Sequence, residues 1–333
     1  LYSAESLSVY FTYSYGLYKK IDLTTHILSE EQYLLSAKGL GELPNGNIVV
    51  SGQYTMKEVN CSTLETINQT ETNTRYHKIY SDNSDGFYAI SGNTGLMSKY
   101  NSNLNEISYK NIGVNASEGC IDTDNNKYYY INTNVYNKHS SVFIYDENNN
   151  LLNTIDLGSK LTSINYCNNF VYVTSSLENK LYIINAVNNQ LTTTIDLPTS
   201  NYSKIFVSKN YTYIIASSNI IMMQGEQIIE TFNVALSPNA TTDFFFDVTN
   251  STAYFLLTRQ ISTSEKSIIY TINEQENTIE DIYTMQTNGA HFMYVRPEAN
   301  RMYLANSVYS NYIKVLDLTN FELINEFNME KST

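Results

Sequence analysis

The chain has 333 residues, with 20 Lys plus Arg against 33 Asp plus Glu, a formal net charge of -13 and a pI near 4.7. That balance argues against a nucleic-acid or anionic-membrane partner, since both require a basic surface, and no run approaches the ~18 apolar residues of a membrane-spanning helix. A hydrophobic fraction of 42% is enough for a sizeable core and speaks against disorder.

Read from the N-terminus, one arrangement recurs. An apolar strand is followed by a short polar linker, a strand ending in Asn, Asp or Gln, a turn, and a further strand. The strand ends fall at Asp22, Asn60, Asn101, Asp146, Asn185, Gln224, Asn273 and Asp317, with gaps of 38, 41, 45, 39, 39, 49 and 44 residues. The first copy is short, so its innermost strand is either 2–5 or missing. Turns are marked by Pro44-Asn45-Gly46-Asn47, Asp124-Asn125-Asn126, Asn148-Asn149-Asn150 and Asn188-Asn189-Gln190. Asn suits such turns because its side chain bonds its own backbone and it tolerates left-handed dihedrals; the chain holds 43 of them. The fifth copy predicts strands at 163–166, 170–174, 180–185 and 190–196. The eighth predicts them at 291–295, 301–305, 312–317 and 321–327. Alternation in LTTTIDL and YIKVLDL is the period-2 signal of half-buried strands.

Four short strands repeated about every 40 residues point to an all-β protein, a β-propeller of four-stranded blades. Small twisted sheets that cannot bury both faces alone do so against their neighbours. The copies fill the chain, so a single domain over 1–333 is expected. Eight blades follow from eight copies. Seven is the alternative, if the first copy only completes the last.

The stretches NNFVYVTSSLENKLYIINAVNNQLTTTIDL at 168–197 and NRMYLANSVYSNYIKVLDLTN at 300–320 resemble the YVTN family of β-propeller repeats, found in surface-layer, secreted and periplasmic proteins. Tyr172-Val173-Thr174 and Tyr303-Leu304-Ala305 sit where that family's second-strand motif falls. The resemblance implies a location outside the cytoplasm (extracellular, cell-surface or periplasmic) and a structural or binding role. It supplies no catalytic residues.

Motifs for chemistry are sparse. Asp122-Thr123-Asp124-Asn125-Asn126 begins like a calcium loop, which makes Asp122, Asp124 and Asn126 the candidate ligands. The loop lacks its sixth-position Gly and twelfth-position Glu, so a hairpin turn is the plainer reading. The acidic turn at 145–150 reads the same way. His26, His77, His139 and His291 have no zinc-ligand spacing. Cys61, Cys120 and Cys167 form no disulfide framework. Cys120 and Cys167 fall on innermost strands of neighbouring copies, where buried thiols are expected and a bridge between the two is the alternative. No nucleophile elbow or phosphate loop occurs.

Aligning the copies places Glu42, His77, Glu118, Thr162, Lys204, Asp243 and His291 where innermost strands begin, at the expected channel mouth. Glu42, His77, Glu118, Asp243 and His291 are the candidates for acid–base work or cation binding there. A hydrated polar lining is the alternative. The chain has 30 Tyr and no Trp. These Tyr residues suit blade packing first and a binding surface second. Sequons occur at Asn60, Asn68, Asn115, Asn201, Asn210, Asn239 and Asn250. Position 1 is Leu, consistent with a processed or excised segment.

Three functions follow. The first expectation is a non-enzymatic extracellular binding or adhesion module that presents a propeller face to a surface protein or glycan. The second is a hydrolase or lyase using the channel-mouth carboxylates and His, with Ca²⁺ as the conceivable cofactor. The third is an architectural domain of a layer or larger assembly.

Overall fold

A computed structural model describes residues 2–3, 8–12, 17–22, 32–33, 39–43, 45–60, 63, 65–81, 86–91, 94–112, 116–122, 124–133, 140–158, 160–198, 203–235, 241–261, 264–286, 289–306 and 312–328. These form antiparallel four-stranded sheets, each ordered as consecutive strands along the chain. The sheets occupy 2–33, 39–71, 78–111, 116–156, 161–196, 203–233, 241–285 and 292–328. Seven of the eight have strands of at least four residues throughout; the N-terminal sheet has two-residue outer strands, Tyr2–Ser3 and Gln32–Tyr33. One 3-10 turn, Pro297–Ala299, is the only helical element among the described residues. The fold is all-β and of the β-propeller type. The chain forms two compact units, residues 1–118 with 123–154, and residues 119–122 with 155–333.

The repeat read from the sequence is the repeat of the structure. Seven of the eight predicted strand ends close the third strand of a sheet, and Asn60 lies one residue past Thr55–Val59. Their chemistry explains the recurrence. Asp146 Oδ1 accepts the backbone N–H groups of Asn148 (2.9 Å) and Asn150 (2.7 Å). Asn185 does the same for Val187 and Asn188, Asn273 for Gln275 and Glu276, and Asp317 for Thr319. A left-handed residue then closes the turn at Leu104, Asn149, Asn189, Asn277 or Phe321. Phe321, at φ 56°, therefore belongs to the turn, and the last strand begins at Leu323 rather than at the expected 321.

In the sheets from residue 39 onward, second and third strands are largely buried on both faces, which is why they read as continuous apolar runs. In the second unit, Tyr213 and Ile215 point into a cluster with Phe255, Leu257 and Ile268 of the next sheet. The alternate residues Ile214 and Ala216 pack against Tyr172, Leu181 and Ile183 of the preceding sheet. Leu256 and Ile269 continue the series against Met293, Val295 and Leu304. In the first unit, Val49 and Met56 meet Tyr76, Phe87 and Tyr100. Gly41 is required there, because a Cβ on it would stand 2.3 Å from Ile79 Cγ2.

Fourth strands are exposed edges, and they carry a common device. In six sheets the ladder slips by one residue near the strand's start, leaving Ile67, Ile107, Thr192, Ile229, Ile282 and Ile324 without an opposite partner. Such bulges twist an edge away from further pairing. Where Thr replaces Ile, its hydroxyl donates to the Ile183 carbonyl at 3.0 Å.

Candidate functional site

Innermost strands of neighbouring sheets lie side by side: Gly39–Glu42 against Lys78–Ser81, Leu161–Cys167 against Ser203–Val207, and Thr241–Asp247 against Phe292–Arg296. Side chains on these strands reach across the gap. Ser163 Oγ accepts the Ile205 N–H at 3.1 Å. Asp243 does the same two sheets later, with Oδ2 accepting Met293 N–H at 2.7 Å and Oδ1 accepting Phe244 N–H at 2.9 Å. Burial pushes the Asp243 carboxyl up to about 6, against the lowering pull of those two N–H groups and of Lys204. Thr162 Oγ1 lies 3.1 Å from Thr174 Oγ1.

In the first unit, Glu118 pairs with Lys78. His77 donates its backbone N–H to Ile90 O at 2.8 Å. Glu42 ends its strand, and its side chain lies outside the described residues. Asp122 is buried at the end of Ala116–Asp122, whereas Asp124 and Asn126 are exposed in the following turn, Asn126 at φ 52°. Among the described residues, no group of three or more His, Cys, Asp and Glu is arranged to hold a metal ion. Cys120 and Cys167 are buried, and burial raises the Cys167 pKa. Cys61, His26 and His139 lie outside the described residues, as do the sequon positions Asn115, Asn201 and Asn239.

His291 leads to a cluster that the sequence did not disclose. Its Nε2–H donates to Glu265 Oε1 at 2.8 Å, and Asn306 Nδ2 donates to Glu265 Oε2 at 3.0 Å and also to the Gly289 carbonyl. Glu265 is 3% exposed, His291 9% and Asn306 0%. Gly289 is held against the cluster so tightly that a Cβ on it would stand 2.6 Å from Ser267 Oγ. Glu265 escaped the repeat alignment because it lies on an insertion. The seventh sheet's second and third strands, Thr252–Ile261 and Ser264–Asn273, have ten residues each. The available signal was the gap of 49 residues between Gln224 and Asn273, the longest of the seven. A carboxylate that orients a buried imidazole is chemically competent for proton transfer. It is equally the satisfied polar knot that a buried charge requires.

Three of the Tyr residues link sheets. Tyr88 Oη donates to Glu147 O (3.4 Å), Tyr172 Oη to Gly225 O (2.9 Å) and Tyr213 Oη to Glu274 Oε1 (2.6 Å). Each runs from a second strand to the outer turn of the following sheet. Burial pushes the Tyr172 phenol up to about 12 and that of Tyr213 higher still, the Glu274 carboxylate adding to the latter.

No protein-family model and no curated protein matches the chain. Solved structures do. The dihydro-heme d1 dehydrogenase NirN in complex with DHE superposes with a TM-score of 0.68 at 14% identity, over 90% of this chain and 67% of that one. Apo AztD from Citrobacter koseri gives 0.69 at 12%, over 97% and 95%. The computationally designed Ika8 protein gives 0.65 at 10%, over 88% and 86%. At these identities the likeness is one of fold. An enzyme and a designed protein stand among the three, so the scaffold leaves the chemistry open. No helix among the described residues is long and apolar enough to cross a membrane.

Proposed function

We propose that the chain is a non-enzymatic binding or adhesion module of the YVTN type, working outside the cytoplasm and offering exposed surface to a protein or glycan. In this reading it is one domain, and each of its eight four-stranded sheets is a blade. The observation that carries it is the use already made of the candidate acid–base residues. Asp243 holds Met293 N–H, Glu118 holds Lys78, and His291 is tied to Glu265. Meanwhile large apolar side chains such as Ile107, Tyr109, Leu151 and Leu152 stand exposed on fourth strands, with Tyr109 at 68%. Exposed aromatic and aliphatic groups on a rigid scaffold serve recognition. The test is saturable binding of the chain to an array of glycans and extracellular proteins. Binding to at least one class is expected, and an array without a ligand would overturn the reading.

The second reading, a hydrolase or lyase, draws on the buried Glu265–His291 pair. It predicts turnover on an ester, glycoside or uronate panel that Glu265→Gln abolishes while the fold is kept. Under the binding reading that panel stays silent.

A further inference from the structure

The insertion in the seventh sheet builds a hairpin that outruns its own sheet. Among the described residues, the first strand pairs with the second as far as Thr241 opposite Thr258, and the fourth pairs with the third as far as Ser267 opposite Met285. Beyond that level, among the described residues, three further pairs join the second and third strands: Arg259 opposite Lys266, Gln260 opposite Glu265, and Ile261 opposite Ser264, and the Gly289 N–H donates to the Glu265 carbonyl at 3.1 Å. Directly opposed residues share a face, with Cβ atoms about 5 Å apart. One face of the extension, through Glu265, is fastened to His291 and Asn306 of the eighth sheet. The other face continues the row of buried Leu257 and Ile268 and carries Arg259 and Lys266.

Two cations opposed on a ladder repel one another and destabilise it. The chain has only 20 Lys and Arg against 33 acids, yet places two of them here. Several other cations are matched: Lys78 with Glu118, Arg296 with Glu298, Arg301 with Asp317, and Lys99 and Lys314 over Tyr rings. Among the described residues, neither Arg259 nor Lys266 has an ion-pair partner. Arg259 is exposed and Lys266 half-buried. A local repulsion retained on a hairpin braced through Glu265 is the mark of a site shaped for a ligand rather than for stability.

We propose that Arg259 and Lys266 form a site for the carboxylates of an extended acidic segment of a partner protein. Two cations call for two anionic groups. Acidic side chains at alternate positions of an extended peptide stand about 7 Å apart on one face, within reach of both long side chains. One acidic sugar brings one carboxylate and leaves a cation unmatched.

This proposal rests on the binding reading above and names its partner chemistry. The experiment uses the full chain and a fluorescein-labelled oligoglutamate peptide, followed by anisotropy at low salt, with a heparin fragment and a sialylated oligosaccharide as competitors. Saturable peptide binding is expected, weakened at least tenfold by Arg259→Gln with Lys266→Gln and relieved by added salt. Lys266→Glu turns the like pair into an opposite pair, so it should abolish peptide binding and raise the thermal midpoint together. A wild-type chain that does not bind the peptide, variants that bind it unchanged, a midpoint that Lys266→Glu leaves alone or lowers, or displacement mainly by the heparin fragment or the sialylated sugar would overturn the assignment. An array ligand bound normally by the double variant would remove this site and leave the binding reading standing.

Discussion

Asp243, Glu118 and His291, which looked most chemical from sequence, are engaged in bonds within the fold, and this has measurable consequences. Asp243 is the clearest. Its carboxyl is held near 6 by burial, above its ordinary value of 3.8, so the folded state takes up a proton before the unfolded state does. Its contribution to stability is therefore full below about pH 4 and is lost as pH rises through about 6. Asp243→Asn removes that dependence. The stability of the variant relative to wild type should climb between pH 4 and pH 6.5 by about 1–3 kcal/mol, read from urea midpoints across the range. The Tyr links rank by what their loss strands. Tyr213→Phe leaves the buried Glu274 carboxylate without its donor and should cost roughly 1–3 kcal/mol, whereas Tyr172→Phe forfeits one bond to a backbone carbonyl and should cost roughly 0.5–1.5 kcal/mol. Equal losses in urea melts would contradict the ranking.

At the scale of strands and turns, much was legible because the cause is local. Asn185 and Asp317 accept N–H groups two or three residues ahead, so the residue type at a strand's end declares the turn. The strands expected at 180–185 and 190–196 are those observed. Asn185→Ala removes the acceptor of two N–H groups and should cost about 1 kcal/mol in chemical denaturation. Partners between sheets were not legible. That Asp243 meets Met293, 50 residues on, depends on how neighbouring sheets stack, and no local pattern encodes it. Glu265 was hidden for a different reason: an insertion carried it out of register with the other copies. Close approach between inner strands was equally silent in sequence. Gly41→Ala drives a Cβ into Ile79 and should destabilise by roughly 1–3 kcal/mol, with Ile79→Ala in the same background giving part of that back.

At the scale of the whole chain, the repeat provides a rigid support whose polar interior positions serve assembly. Sheets are joined by shared clusters such as that of Tyr213, Phe255 and Leu257, and by bonds such as that of Ser163 to Ile205. The all-β architecture could be read from period and patterning alone. Function could not, since departures from the repeat, like the extended hairpin to which the proposal assigns partner binding, carry no motif. In the proposed binding reading, recognition falls to exposed side chains, and the interior carboxylates and His291 support them. The most direct test compares one set of variants, Asp243→Asn, Glu265→Gln and His291→Gln, for thermal midpoint and for binding to the ligand found on the array. Shifted midpoints with ligand affinity unchanged are expected if recognition lies on the exposed surface. Affinity or turnover lost at an unchanged midpoint would place the chemistry inside the fold and contradict it.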